Sequence, residues 1–333
     1  MKIGVDSYSF QIALAAGVYD VFRTIDSLGA LGVSGIQINI NGPGGRFLGG
    51  EPTDRVHVRR VRRALEAAGF FVEVGGRSTR PEMLDWQLDL CAELGADVLR
   101  TLVVFESSLE ETVERTERDL AVSLPRARKL GVTIALENHE DVTADELLAC
   151  LERIDDPWLG ACLDTGNDLV LHGDPLDSAR ALAPRAVTTH VKDQKLVRVG
   201  ETVYSVGVPL GSGDVDLRAI LDVIRQTSRL DRVLVQDTTG YSVRLNPFGR
   251  TDLVVPTSSS GRPSYADVPA YADVPAYDDL PAYDSPDALL ADGLVLSLDD
   301  LGPEQLRAAA AQKDDSIARD VEYVRAAIGA KRR

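Results

Sequence analysis

Short apolar runs bounded by glycine or polar residues alternate along this chain with longer stretches that are apolar at helical spacing. The first pattern predicts strands buried on both faces, and the second predicts amphipathic helices laid over them. Ile3–Ser7 reads as the first strand and Val18–Leu31 as a helix, apolar at Val21, Ile25, Leu28 and Leu31. Gly35–Ile40, Phe70–Val74 and Val98–Val104 are the next strands, and Arg55–Ala68, Pro81–Leu94 and Leu109–Leu130 are helices. A fifth strand ends at Glu137. The helix after it, Thr143–Ile154, opens with Thr143 and Glu146 at capping-box spacing. The sixth strand ends at Asp164, and a helix from Asp174-Pro175 through Leu182 leads to the seventh, which ends at His190. A hairpin across Lys195–Val208 and a helix over Val215–Gln226 precede the eighth strand, Arg232–Asp237.

Eight such units predict an α/β fold, the (β/α)8 TIM barrel, with a doubly wound open sheet as the alternative. The barrel body then occupies residues 1–237. A barrel closes with a helix soon after its last strand, but here a long irregular insertion occupies 238–302 before Pro303–Ile328 restores a helical pattern in the closing segment, 303–333. Within the insertion a six-residue unit repeats, as Tyr265-Ala266-Asp267-Val268-Pro269-Ala270 and Tyr271-Ala272-Asp273-Val274-Pro275-Ala276. Proline at that period excludes a helix, so this acidic stretch reads as a solvated linker or as a lid or partner-binding arm.

Composition narrows the function. With 333 residues and 44% hydrophobic, the chain can bury a large core. A formal charge of -16 opposes binding to nucleic acid, whose phosphates need a basic face. Cys91, Cys150 and Cys162 have neither disulfide nor metal-type spacing, and as buried free thiols they fit a reducing cytoplasm. No export signal opens the chain and no apolar run is long enough to span a membrane. The glycine-rich loop Asn41-Gly42-Pro43-Gly44-Gly45-Arg46 lacks the ending of a phosphate-cradling loop, so no nucleotide cofactor is expected and a substrate-side loop or a plain turn is.

The chemistry is expected at the strand ends. Glu137, Asp164 and His190 close successive strands, and a barrel keeps its active site at the carboxyl ends of its strands. Carboxylate and imidazole ligands suit a divalent ion such as Mn²⁺, with Mg²⁺, Co²⁺ and Zn²⁺ as alternatives. Barrel geometry adds Gln236, at the end of strand eight, as a fourth ligand. Taken singly, each residue also reads as a rim carboxylate or a hydrogen-bonded core histidine. His139, two residues past Glu137, is a candidate general base, and Lys192 a candidate partner for a substrate oxygen. Asp193 is a candidate substrate contact or orienting group. Arg100, inside strand four, calls for a buried ion pair or a substrate contact, since an unpaired buried guanidinium is costly.

Ala135-Leu136-Glu137-Asn138-His139, Cys162-Leu163-Asp164-Thr165-Gly166-Asn167, Thr189-His190-Val191-Lys192-Asp193 and Gly207-Val208-Pro209-Leu210-Gly211-Ser212-Gly213-Asp214-Val215-Asp216 resemble the sugar phosphate isomerase/epimerase family of xylose-isomerase-like TIM barrels. The resemblance implies metal ligation by Glu137, Asp164 and His190, and proton transfer beside a sugar carbonyl. It also marks a departure: Gln236 stands where the family usually has a glutamate, which puts a symmetrical two-glutamate mechanism in doubt. The sequence is similar as well to the metal-binding alpha subunit of bacterial C-glycoside deglycosidases. That resemblance implies C–C bond cleavage in a 3-oxo-C-glycoside with a smaller second subunit as partner. The expected ligand is in either case a small sugar or glycoside, and an oligomer is expected. An apurinic endonuclease, which shares the barrel, and a noncatalytic scaffold are the competing classes.

Overall fold

The computed structural model of the protein describes residues 1–40, 47–250, 253 and 280–329. The glycine-rich loop at 41–46 and the repeats at 265–279 lie outside the described residues. Eight parallel strands form one sheet: β1 (Lys2–Asp6), β2 (Gly35–Asn39), β3 (Phe71–Gly75), β4 (Val98–Leu102), β5 (Thr133–Glu137), β6 (Leu159–Asp164), β7 (Ala186–His190) and β10 (Arg232–Val235). The sheet runs in chain order from β1 to β7, and β10 lies beside β1. Closure between β7 and β10 rests on the Val191–Val235 bridge, with Val191 N–H donating to Leu234 O at 2.8 Å and Gln236 N–H to Val191 O at 2.9 Å. The barrel predicted from the alternation of patterns is therefore the observed fold, and the open sheet is not.

Helices fill the intervals as expected: α3 (Arg55–Ala68), α4 (Pro81–Leu94), α5 (Leu109–Leu130), α6 (Ala144–Ile154), α7 (Pro175–Leu182) and α8 (Leu217–Thr227). The Thr143/Glu146 capping box forms at the start of α6. Two differences have local causes. The first long helix, α2 (Val21–Ala30), starts three residues later than its apolar pattern, because the Asp20 side chain accepts from Arg23 N–H and caps it. A short helix, α1 (Gln11–Ala15), precedes it. The closing helix is two helices, α10 (Pro303–Ala311) and α11 (Lys313–Ile328), broken at Gln312. At this break Lys313 turns inward to meet Asp237, so tertiary pairing overrides the continuous helical pattern.

The predicted hairpin forms as β8 (Asp193–Val199) and β9 (Thr202–Val208) and is widened by β11 (Ser242–Arg244) and β12 (Ala282–Tyr283) into a small second sheet. Val197, Val206 and Leu289 form its own apolar cluster. Inside the barrel the Phe71 ring lies against Gly35, where a Cβ would come within 2.4 Å of it, so only glycine fits there. Further along, the interior turns polar, with Glu73, Gln37, Arg100, Glu137 and His190 all buried. The three cysteines are buried and free, and no helix among the described residues is long and apolar enough to cross a membrane.

Candidate metal centre

Successive residues of a strand face opposite sides, so positions two apart share the barrel interior. This parity aims the last residues of β5, β6 and β7 at one another. His190 Nδ1 lies 3.2 Å from Glu137 Oε1 and 3.6 Å from Asp164 Oδ2. Gln236, just past β10, brings its amide nitrogen to 3.5 Å from the same Nδ1 and donates to Asp6 Oδ2 at 2.6 Å. That leaves the amide oxygen of Gln236 as its ligating atom. The four strand-end residues expected to converge do so.

Neighbours fix their orientation. Gln37 donates from Nε2 to Glu73 Oε2 at 3.1 Å, which turns Gln37 Oε1 toward His190 Nε2 at 2.9 Å. An acceptor there places the imidazole hydrogen on Nε2 and leaves Nδ1 to face Glu137 and Asp164. Asp164 Oδ1 accepts from Gly166 and Asn167 N–H, and Asn138 Oδ1 accepts from Asp164 N–H, both at the turn where β6 ends. Asn167 also donates to Glu137 Oε1 at 3.3 Å.

Glu137 Oε2 and Asp164 Oδ2 are buried without a hydrogen-bond partner among the described residues. Cations stand beside both: Arg100 Nε at 3.2 Å from Glu137 Oε2, and Lys192 Nζ at 3.3 Å from Asp164 Oδ2. Glu137 Oε1 and the unpartnered Asp164 Oδ2 on either side of His190 Nδ1 are donors suited to a hard or borderline divalent ion, so the residues fit one. Electrostatics agree. Burial works to raise the Glu137 carboxyl, but Arg100 and His190 outweigh it and hold it well below the usual range. Burial opposes charge on His190, yet the neighbouring carboxylates of Glu137 and Asp164 push its pKa well above the usual histidine value. A cation taken at Nδ1 displaces that proton.

Above the strand ends opens a cavity of about 310 Å³, lined by Tyr8, Gln11, Asn39, Phe47, Arg77, Arg100, Leu102, Glu137, His139, Glu140, Lys192, Gln236, Thr238 and Tyr241. His139 and Lys192 thus share the cavity with Glu137 and Gln236. His139 Nδ1 stands 3.5 Å from Asp141 Oδ1. Burial opposes its charge, but Asp141, Glu137 and Glu140 raise its pKa above the ordinary histidine value. The Lys192 pKa is also raised, with burial outweighed by Asp164, Glu140 and Glu137, so this amine is a charged donor at neutral pH. Arg100 makes the buried ion pair that its position in β4 demanded and also lines the cavity. Asp193 lies outside the cavity lining, and its Oδ2 accepts from Gly211 and Gly213 N–H at 2.8 and 3.0 Å, so its carboxylate orders the turn after β9.

Residues 25–235 match the family described as Xylose isomerase-like TIM barrel. The chain belongs to that family. One relative is 3-oxo-isoapionate decarboxylase of Pectobacterium atrosepticum, 30% identical over 184 residues, or 54% of this chain and 66% of the relative's length. A structure of D-psicose 3-epimerase in the presence of D-fructose covers 99% of this chain and 100% of its own, at 13% identity and a TM-score of 0.61. A structure of IOLI protein with a binding zinc atom covers 72% of this chain and 89% of its own, at 13% identity and a TM-score of 0.57.

Within this xylose isomerase-like barrel, several site residues escape a reading of strand ends. The Cys162 thiol has its sulfur within 4.8 Å of ligand atoms of Glu137 and His190. Its burial raises its pKa to about 11, so it is a neutral thiol. Strand parity was the available signal, since Cys162 precedes Asp164 by two. Asp6, the last residue of β1, carried the same signal. Gln37 carried none, because its role comes from a contact across the barrel.

Proposed function

We propose that this protein is a divalent-metal-dependent enzyme of the sugar isomerase and epimerase type, which moves a proton on the carbon beside a carbonyl. The observation that carries this reading is the convergence of His190 Nδ1 with Glu137 Oε1 and with the unpartnered Asp164 Oδ2 under a cavity at the carboxyl end of the barrel. Glu137, Asp164 and His190 hold the ion, with the Gln236 oxygen as fourth donor, and Mn²⁺ best suits such a set. When bound, a divalent ion supplies a Lewis acid for the oxygen whose charge grows as the proton leaves. The zinc in the IOLI protein structure supports a metal in a barrel of this shape. His139 moves the proton, since its imidazole lines the cavity and can act as acid or base. Lys192 donates to a substrate oxygen, and Arg100 balances Glu137.

Gln236 favours a second reading. An amide cannot exchange a proton, so the cavity lacks a glutamate at this corner to complete a two-base epimerisation. Cleavage of a 3-oxo-C-glycoside needs one base only. It removes the proton on C2 beside the carbonyl, the enolate electrons form the C1–C2 double bond as the bond from C1 to the aglycone breaks, and the departing carbon takes the proton back from that base. That chemistry is C–C bond cleavage, as in a C-glycoside deglycosidase alpha subunit acting on a 3-oxo-C-glycoside with a smaller partner. The decarboxylase relative, named for a 3-oxo substrate, supports the same class. A screen of the purified protein against ketoses, sugar phosphates and 3-oxo-glycosides, with Mn²⁺ or with chelator, tests both. Epimerised ketose supports the first reading and a released aglycone the second. Turnover that survives both chelation and Glu137→Gln defeats the metal mechanism. His139→Ala is expected to spare metal binding and remove turnover; retained turnover moves the proton-transfer role to another residue.

A further inference from the structure

The chain is strongly acidic, with 52 Asp and Glu against 36 Lys and Arg, yet its cavity is lined by Arg77, Arg100 and Lys192 against only Glu137 and Glu140. Two of the cations are already committed. Arg100 pairs with Glu137 and donates from Nη1 to Gly76 O at 3.1 Å. Lys192 Nζ donates to Asn167 Oδ1 at 2.6 Å and lies 3.3 Å from Asp164. Arg77 differs: among the described residues its guanidinium has no ion-pair or hydrogen-bond partner, and only its backbone carbonyl is engaged, by Gln87 Nε2 at 3.3 Å.

The loop that carries it is built tightly. A Cβ at Gly76 would fall 2.3 Å from Gln87 Oε1, so a side chain there would have to displace Gln87. Gly76 N–H donates to Arg100 O at 2.7 Å. Ser78 adopts a left-handed backbone, with φ of 76°, unusual for a residue with a side chain. Thr101 Oγ1 holds its carbonyl at 2.8 Å, and its own hydroxyl accepts from Arg80 N–H at 3.2 Å. Strain maintained by surrounding bonds beside a cavity marks a position whose geometry is used. Arg77 leaves this turn at the cavity wall as an exposed, solvated side chain with no protein partner among the described residues, and guanidinium matches carboxylate or phosphate with paired hydrogen bonds.

We propose that Arg77 is an anion-binding subsite, so that the substrate is an oxo-sugar bearing a carboxylate or a phosphate at the end remote from the reacting carbon. The inference rests on the reading of this cavity as the substrate site. Its test needs no turnover. D-gluconate, D-glucose 6-phosphate and D-glucose are titrated calorimetrically into the full chain, with and without Mn²⁺, for the wild type, Arg77→Gln and Arg77→Lys. One anionic probe is expected to bind about tenfold more tightly than glucose, about 1.4 kcal/mol. The preference should vanish in Arg77→Gln, with glucose binding unchanged, and persist in Arg77→Lys. Whether gluconate or the phosphate ester wins identifies the anion. Equal responses to all three in the wild type, including none, overturn the proposal, as does a preference that survives Arg77→Gln. Failure of the metal reading shows separately, as absence of Mn²⁺ binding while the Arg77-dependent preference remains.

Discussion

Gln236 and Asp237 are neighbours in sequence at the end of β10, yet they serve two different buried clusters. Gln236 turns into the barrel toward Asp6 and His190. Asp237 turns outward to α11, where it pairs with Lys313 Nζ at 2.6 Å and accepts from Ser316 Oγ at 2.9 Å and Thr239 N–H at 2.9 Å. Both clusters are buried and charged, so burial does not separate function from structure. Position at the cavity does. The Asp237 oxygens accept from protein donors, whereas Glu137 Oε2 and Asp164 Oδ2 have no hydrogen-bond donor among the described residues, only the charges of Arg100 and Lys192, and Glu137 lines the cavity. Asp320 Oδ2 in the outer cluster is equally unpartnered but is not part of that lining. An unfinished carboxylate at a cavity is one that a ligand can complete.

Five substitutions sharpen or break that contrast. In the inner cluster, Glu137→Gln or His190→Ala should abolish metal binding and turnover together, exceeding the about 10–100-fold that a supporting residue costs. Glu137→Gln also leaves the buried Arg100 guanidinium without its partner, so the metal-free protein should lose stability by the about 3–5 kcal/mol that breaking a buried pair costs. In the outer cluster, Asp237→Asn strands Lys313 and should lower stability by about 3–5 kcal/mol in denaturant titration, leaving metal stoichiometry intact. Loss of metal in Asp237→Asn would mean that the two clusters are one.

Gln37→Leu keeps every ligand but frees the His190 ring, and it should weaken Mn²⁺ affinity by about 10–100-fold. Unchanged affinity would remove Gln37 from the site. The smallest effect belongs to Asp320, whose pKa burial and Asp237 raise to about 8 from an ordinary 3.8. The folded state therefore holds this proton more tightly than the unfolded chain. Its contribution is fully present below pH 3.8 and is lost as pH rises through about 8. Asp320→Asn should flatten the decline of stability across that window, and an unchanged slope would assign the decline to other groups.

Much of this was legible in the sequence. The strand-end residues Glu137, Asp164 and His190 were readable because each ends a short apolar run, and parallel strands bring such ends to one face. Gln236 followed from barrel closure. Polar residues within the barrel were less legible. Arg100 showed itself as a charge inside an apolar strand, but Gln37 and Glu73 meet His190 only through side chains from other strands, and strand periodicity does not pair residues across a barrel. The break at Gln312 was hidden for a similar reason, since Lys313 fits a helical pattern and only its partner Asp237 draws it inward. Asp193, beside Lys192 at the rim, reads toward the substrate in the sequence because its donors, the amides of Gly211 and Gly213, lie in a turn that sequence spacing does not position.

The most direct test is a count of metal ions per chain. Metal-stripped wild type, His190→Ala and Asp237→Asn are titrated with Mn²⁺ and the bound ion measured after equilibrium dialysis. The expected result is one ion per chain in the wild type and in Asp237→Asn, and none in His190→Ala. A wild type that retains no ion, or a His190→Ala protein that binds as the wild type does, would contradict the assignment of the unfinished carboxylates to a metal.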